Sequence, residues 1–145
     1  MARTALVTGG TRGIGLEVCA ELARRGWRIL LGARDAGAGH RAAAELATAG
    51  LVVEPVTLDV TVAGHVDALA GHLSRVDALV NNAGIYPGGR ATEVDLDAAE
   101  PAWQTNALGA WRLALAVIPG MRERRWGRIA NVSSQGGSLA TMGAE

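Results

Sequence analysis

The chain has 145 residues, 49% of them hydrophobic and 19% charged, and its 14 basic and 14 acidic side chains cancel. This is enough apolar material for one packed domain and too much for a disordered chain. Zero net charge gives no bulk attraction to nucleic acid or an anionic bilayer, and no apolar run is long enough to span a membrane, so neither is expected as a partner.

Along the chain, short apolar runs alternate with longer segments of helical period. "TALVTG" (4–9) reads as a buried strand, and "IGLEVCAELARRG" (14–26) as a helix with Ile14, Val18 and Leu22 on one face and Gly26 as its stop. "WRILLGA" (27–33) is a second strand and "HRAAAELATAG" (40–50) a second helix. "VVEPVTLD" (52–59) is a third strand, which Pro55 assigns to a sheet edge because proline has no N–H for the ladder. A third helix covers 66–75 and a fourth strand 77–84. A long helix runs from about 97 to 118, and the fifth strand is "GRIANVSS" (127–134). Such an alternation predicts an α/β fold, a doubly wound parallel sheet of Rossmann type with helices on both faces. The whole chain, 1–145, reads as one domain of this kind.

Between the first strand and first helix lies "TGGTRGIG" (8–15), with glycines at Gly9, Gly13 and Gly15. Glycines there let the backbone turn tightly and approach a pyrophosphate, while free helix amides and the helix dipole favour negative charge. A plain glycine turn is the competing reading, and the position of the loop favours dinucleotide binding. At the end of the second strand, "GARD" (32–35) offers Arg34 and Asp35. An acid at such a place binds the 2′-hydroxyl of NAD, whereas an arginine pairs with the 2′-phosphate of NADP.

These segments resemble the short-chain dehydrogenase/reductase family. The glycine loop, "LDV" (58–60), "NNAG" (81–84), Asn106 in "TNALG" and "NVSS" (131–134) occur in the family's order across residues 4 to 137. The resemblance implies an oxidoreductase transferring hydride between a nicotinamide and a carbonyl or alcohol substrate. It also implies cofactor contacts from Gly9, Thr11, Arg12, Gly13, Ile14, Gly15, Arg34, Asp59, Val60, Asn82, Ala83 and Gly84. NAD-dependent members carry an acid where this chain has Ala33, and many NADP-dependent members carry arginine one place later. NADP(H) is therefore expected in preference to NAD(H), with Arg34 and Arg12 on the 2′-phosphate.

Carbonyl reduction also needs a donor to the carbonyl oxygen and a proton source. The resemblance assigns Ser134 to the first task, with Ser133 as the neighbour it could be confused with, and Asn106 to a proton relay. The family's Tyr-x-x-x-Lys is missing. The sequence contains no lysine, and its single tyrosine, Tyr86, stands in a Pro/Gly loop. The segment would fall beyond Glu145, so the expectation is a truncated member, inactive by itself. A non-catalytic dinucleotide-binding or sensor protein is the alternative. Trp103, Leu108, Trp111 and Leu115 form an apolar stripe suited to core packing or to a homo-oligomer through the long helix. The lone cysteine, Cys19, cannot form an internal disulfide, and a cytoplasmic protein is the simplest reading. No metal site is expected.

Overall fold

The computed structural model describes residues 2–86, 88, 93 and 95–134. Five strands form one parallel sheet: β1 (Thr4–Thr8), β2 (Arg28–Ala33), β3 (Glu54–Thr57), β4 (Ala78–Asn81) and β5 (Arg128–Asn131). Their order is β3-β2-β1-β4-β5, so the chain winds outward from β1 in one direction and then returns to wind outward in the other. The Pro55 strand is at an edge, as its missing N–H requires.

Alternation along the central strands divides the core. Ala5, Val7, Ile29 and Leu31 point to one face and pack with Cys19, Ala20, Ala42 and Leu46 of α1 (Gly13–Arg24) and α2 (Ala36–Thr48). Leu6, Leu30 and Leu79 point to the other face, with residues of α3 (Ala63–Ala68), α4 (Ala70–Leu73) and α6 (Ala110–Glu123). The β1 residues are buried throughout, which is why this strand reads as an unbroken apolar run. Burial pushes the Cys19 thiol up to about 12, consistent with a packing role.

The strands expected at 52–59, 77–84 and 127–134 are shorter than their apolar runs, and three helical segments depart from the sequence expectation. The second helix begins at Ala36, not residue 40, because Asp35 accepts the Ala38 amide at 2.6 Å and caps it. The helix expected over 66–75 is two short ones that meet at Leu69. The long helical segment runs from α5 (Leu96–Trp103) through one π-helical stretch, Gln104–Gly109, into α6, and it continues past Pro119 to Glu123. Tertiary contact sustains that continuation: Gly120 lies directly against the Ser74 carbonyl, and Arg124 donates to the carbonyl oxygens of Ser74 and Val76 and pairs with Asp77 at 3.1 Å.

The apolar stripe on the long helix is not core. Trp103 is 56% exposed, Trp111 64% and Leu115 61%. The residues of β5 are exposed as well, and residues 135–145, which include the glycine pair after Ser134, lie outside the described residues. Among the described residues no helix is long and apolar enough to cross a membrane.

Helix α6 ends with Arg125 at φ 54, its amide bonded to the Arg122 carbonyl and that of Trp126 to Met121. Glycine occupies the matching left-handed position after α1 and α2, at Gly26 and Gly50. Arg125→Gly is therefore expected to raise stability by about 0.5–1 kcal/mol, net of the added unfolded-chain entropy. A urea midpoint equal to or below that of the wild type would count against this account.

Candidate functional site: a cleft at the carboxyl ends of the strands

Where the winding reverses, the loops after β1 and β4 diverge and leave a crevice, the place at which open parallel sheets bind ligands. The cleft there has a volume of about 740 Å³. Its walls include Gly9, Thr11, Arg12, Gly13 and Ile14 from the first loop and Arg34 from the end of β2. Asp59 and Val60 line it from the turn after β3, and Asn82, Ala83 and Gly84 from the loop after β4. Eleven of the twelve residues expected to touch a cofactor are thus brought together. The twelfth, Gly15, is buried behind the wall, where a Cβ would collide with the Gly9 carbonyl and the Asn82 amide. It permits the close approach of helix to loop.

Side-chain hydrogen bonds fix the two loops to each other. Asn82 Nδ2 donates to the carbonyl oxygens of Thr8 and Gly9 at 3.0 and 3.1 Å. In return, Thr8 Oγ1 accepts the amides of Asn82 and Ala83, both at 2.9 Å. Gly9 and Gly13 take φ of 64° and 53°, conformations a side chain resists. Helix α1 opens from Arg12 with no side-chain cap and no acid in its first turn, so its amides are left to an anion.

On the opposite wall, Asp59 Oδ1 accepts the amide and hydroxyl of Thr61 at 2.9 and 2.6 Å. Burial pushes this carboxyl up, but the Thr61 bonds, helped by Arg34 and His65, outweigh it and hold Asp59 below the ordinary carboxylate value. Arg112 holds the Val60 carbonyl from α6, and Gly109 leaves room for the Val60 side chain.

The residues expected to act chemically stand outside this wall. Asn106 lies in the π-helical stretch and clasps the backbone of Ile85, accepting its amide at 2.9 Å and donating to its carbonyl at 2.8 Å. Ser134 is exposed, three residues beyond the end of β5. Tyr86 is 86% exposed in the loop after β4. The sequence reading missed Ile85, Thr61, Gln104 and Thr105 as further lining residues. Of these, Thr61 had a local signal, its spacing two residues after Asp59 suiting an Asx turn. Among the described residues no cluster of His, Cys, Asp and Glu is placed to hold a metal ion.

A family model described as short chain dehydrogenase matches residues 3–144. The chain belongs to that family. The 3-oxoacyl-acyl-carrier-protein reductase of Pseudomonas aeruginosa is 35% identical over 97% of this chain and 59% of its own length. The cyclopentanol dehydrogenase of a Comamonas strain is 36% identical over 98% of this chain and 58% of its own. Among solved structures, a variant of actinorhodin polyketide ketoreductase with NADPH matches at a TM-score of 0.86 and 35% identity, covering 95% of this chain and 56% of that one. The chain thus spans a little over half the length of the relatives it matches.

The folded-state value of Asp59 is depressed, so its contribution to stability is complete above about pH 4 and is lost as pH falls through the lower, folded value. Asp59→Asn removes this contribution. Between about pH 5 and pH 3 the variant's urea midpoint is expected to fall less steeply than that of the wild type, and identical slopes would show that the Thr61 bonds do not stabilise the charge.

Proposed function

We propose that these residues form the cofactor-binding part of an NADP(H)-dependent oxidoreductase acting on a small carbonyl or alcohol substrate. The observation that carries this reading is the distribution of charge around the cleft. Arg12 and Arg34 are the arginines that line the cleft, and neither has a salt-bridge partner among the described residues. Asp35, the acid nearest the end of β2, is occupied in capping α2 and paired with Arg41 at 3.9 Å. That leaves two guanidinium groups for a 2′-phosphate, while Asp35, the acid at the end of β2, is engaged elsewhere and Asp59 is bonded to Thr61.

The residues fit the rest of a dinucleotide. The Gly9–Ile14 loop and the uncapped amides of α1 suit the pyrophosphate, and Gly13 faces open space where a side chain would stand. Asp59 and Val60 would border the adenine, and Asn82, Ala83 and Gly84 the ribose on the nicotinamide side. When bound, the nicotinamide supplies or accepts the hydride. Ser134 would donate to the carbonyl oxygen. Asn106, by clasping Ile85, would keep the loop after β4 in place for a proton relay. A hydroxyl alone is a poor proton donor near neutrality, and with no lysine in the sequence nothing here activates a tyrosine. These 145 residues by themselves are therefore expected to bind cofactor without turnover, which is also what a non-catalytic dinucleotide-binding protein would do.

Titration should give tighter binding of NADPH than of NADH. Arg34→Ala is expected to weaken NADPH about tenfold or more and leave NADH nearly unchanged. A preference for NADH, or an unaltered NADPH affinity in the variant, would falsify the assignment. Assay of the chain with simple ketones or alcohols should give no ordinary turnover, and robust activity would overturn that part.

The exposed stripe of Trp103, Trp111 and Leu115 supports a homo-oligomer through the long helix. Sedimentation should report a dimer that Trp111→Arg converts to monomer; a monomeric wild type at micromolar concentration would sink this interface.

A further inference from the structure

Behind the cleft wall stands one histidine that the proposed cofactor chemistry does not use. His65, half-buried in the first turn of α3, accepts the amide N–H of Asp59 at Nδ1, 3.1 Å away. That nitrogen therefore carries no proton, and the ring is the neutral tautomer with its hydrogen on Nε2. Asp59, Val60 and Thr61 all line the cleft, and each is held by a different bond. Thr61 fixes the Asp59 carboxylate, Arg112 fixes the Val60 carbonyl, and the imidazole fixes the Asp59 amide. The Val62 amide closes the turn on the Asp59 carbonyl at 3.1 Å. Of these contacts, the imidazole bond rests on a single acceptor nitrogen, which becomes a donor when the ring takes a proton.

We propose that His65 is a positioning residue for the cofactor cleft, holding the Asp59–Thr61 wall through the Asp59 amide, and that its protonation loosens the wall and weakens dinucleotide binding. The inference rests on the cofactor reading above. An imidazolium carries N–H groups on both nitrogens, so its Nδ1–H faces the Asp59 N–H, donor against donor. The ring must turn away, and a part-buried amide loses its partner. The charged groups around this turn do not remove the conflict. The Asp59 carboxylate attracts an imidazolium, Arg34 from the end of β2 acts on the same carboxylate, and Arg112 reaches the turn from α6. Asp67, farther along α3, is exposed. Attraction to Asp59 is satisfied by any ring orientation nearby, whereas the amide bond needs a bare Nδ1.

The test is an NADPH titration of the chain from pH 8 down to about pH 5.5, with His65→Gln in the same buffers. Glutamine can offer an acceptor that does not titrate. The 2′-phosphate of NADPH takes up a proton in this range too, a loss common to both proteins, so the signal is the difference between them. NADH, which lacks that phosphate, is the second probe. The wild-type dissociation constant should rise about threefold to tenfold more than that of His65→Gln, the size of one net hydrogen bond. His65→Ala should be weak and free of this extra dependence throughout. In the ligand-free wild type, the Asp59 amide resonance should titrate together with the His65 ring. Parallel affinity profiles, or an Asp59 amide indifferent to the ring's titration, would overturn the inference alone. Absence of NADPH binding at pH 8 would overturn the cofactor reading and the inference with it.

Discussion

The exchange of hydrogen bonds between Asn82 and Thr8 spans the junction where the sheet reverses its winding, and the cleft depends on it. Parallel strands β1 and β4 are neighbours, but the loops that leave their carboxyl ends diverge. Without a cross-link, two part-buried carbonyl oxygens at Thr8 and Gly9 and two amides at Asn82 and Ala83 would have to find other partners. One amide side chain and one hydroxyl satisfy all four. In doing so they set the height of the glycine loop above the sheet, and Gly15 lets α1 approach closely enough to use that height. The positive dipole end of α1 is aimed into the crevice as a consequence of this packing.

The two sides of the reversal are unequally built. On the β2–β3 side, the turn at Asp59–Thr61 is braced from three directions by Thr61, His65 and Arg112. On the other side, the strand that leads to Ser134 is exposed and held mainly by its ladder to β4, where Val132 donates to the Asn81 carbonyl at 2.9 Å. Asn81 adds one side-chain bond, from Nδ2 to Asn131 Oδ1 at 2.9 Å, while its buried Oδ1 has no partner among the described residues.

Much of this was legible in the sequence because it is periodic or forced by residue type. Continuous apolar runs gave the buried strands, Pro55 gave the edge, and glycines at 26 and 50 gave the helix ends. The loop glycines and Arg34 could be placed since a strand end and a helix start leave little freedom between them. What could not be read was the use of polar side chains across long separations. Thr8 is 74 residues from Asn82, and nothing local marks it as the acceptor of two amides. Asp35 looked like a ribose ligand or a bystander by position alone, and only the cap to Ala38 removes it from the cleft. The sequence pattern predicts ordinary helix for the π-helical stretch around Asn106, although Asn106 and Gly109, three residues apart, are poor helix formers. Its cause is tertiary: Asn106 bonds the Ile85 backbone, and Gly109 yields to Val60.

The same long-range logic explains how a chain of zero net charge can present a cationic site. Acids and bases are equal in number, but their pairing is uneven. Glu21 pairs with two arginines at the end of α1, Glu54 faces Arg28, and Asp77 faces Arg124, so these carboxylates sit with arginines outside the cleft wall. Arg12 and Arg34 retain their charge at the mouth of the cleft, close to the uncapped amides of α1. Both arginines are exposed, so each remains solvated until a ligand arrives and contributes mainly through its charge and planar donor fork. Asp59 is the counterweight. Held ionised by Thr61, it keeps one wall negative, so an anion entering the cleft is drawn toward the arginines and helix amides and away from the turn after β3. Orientation of a dinucleotide in this cleft would then follow from the separation of those two signs, before any contact specific to its bases is made.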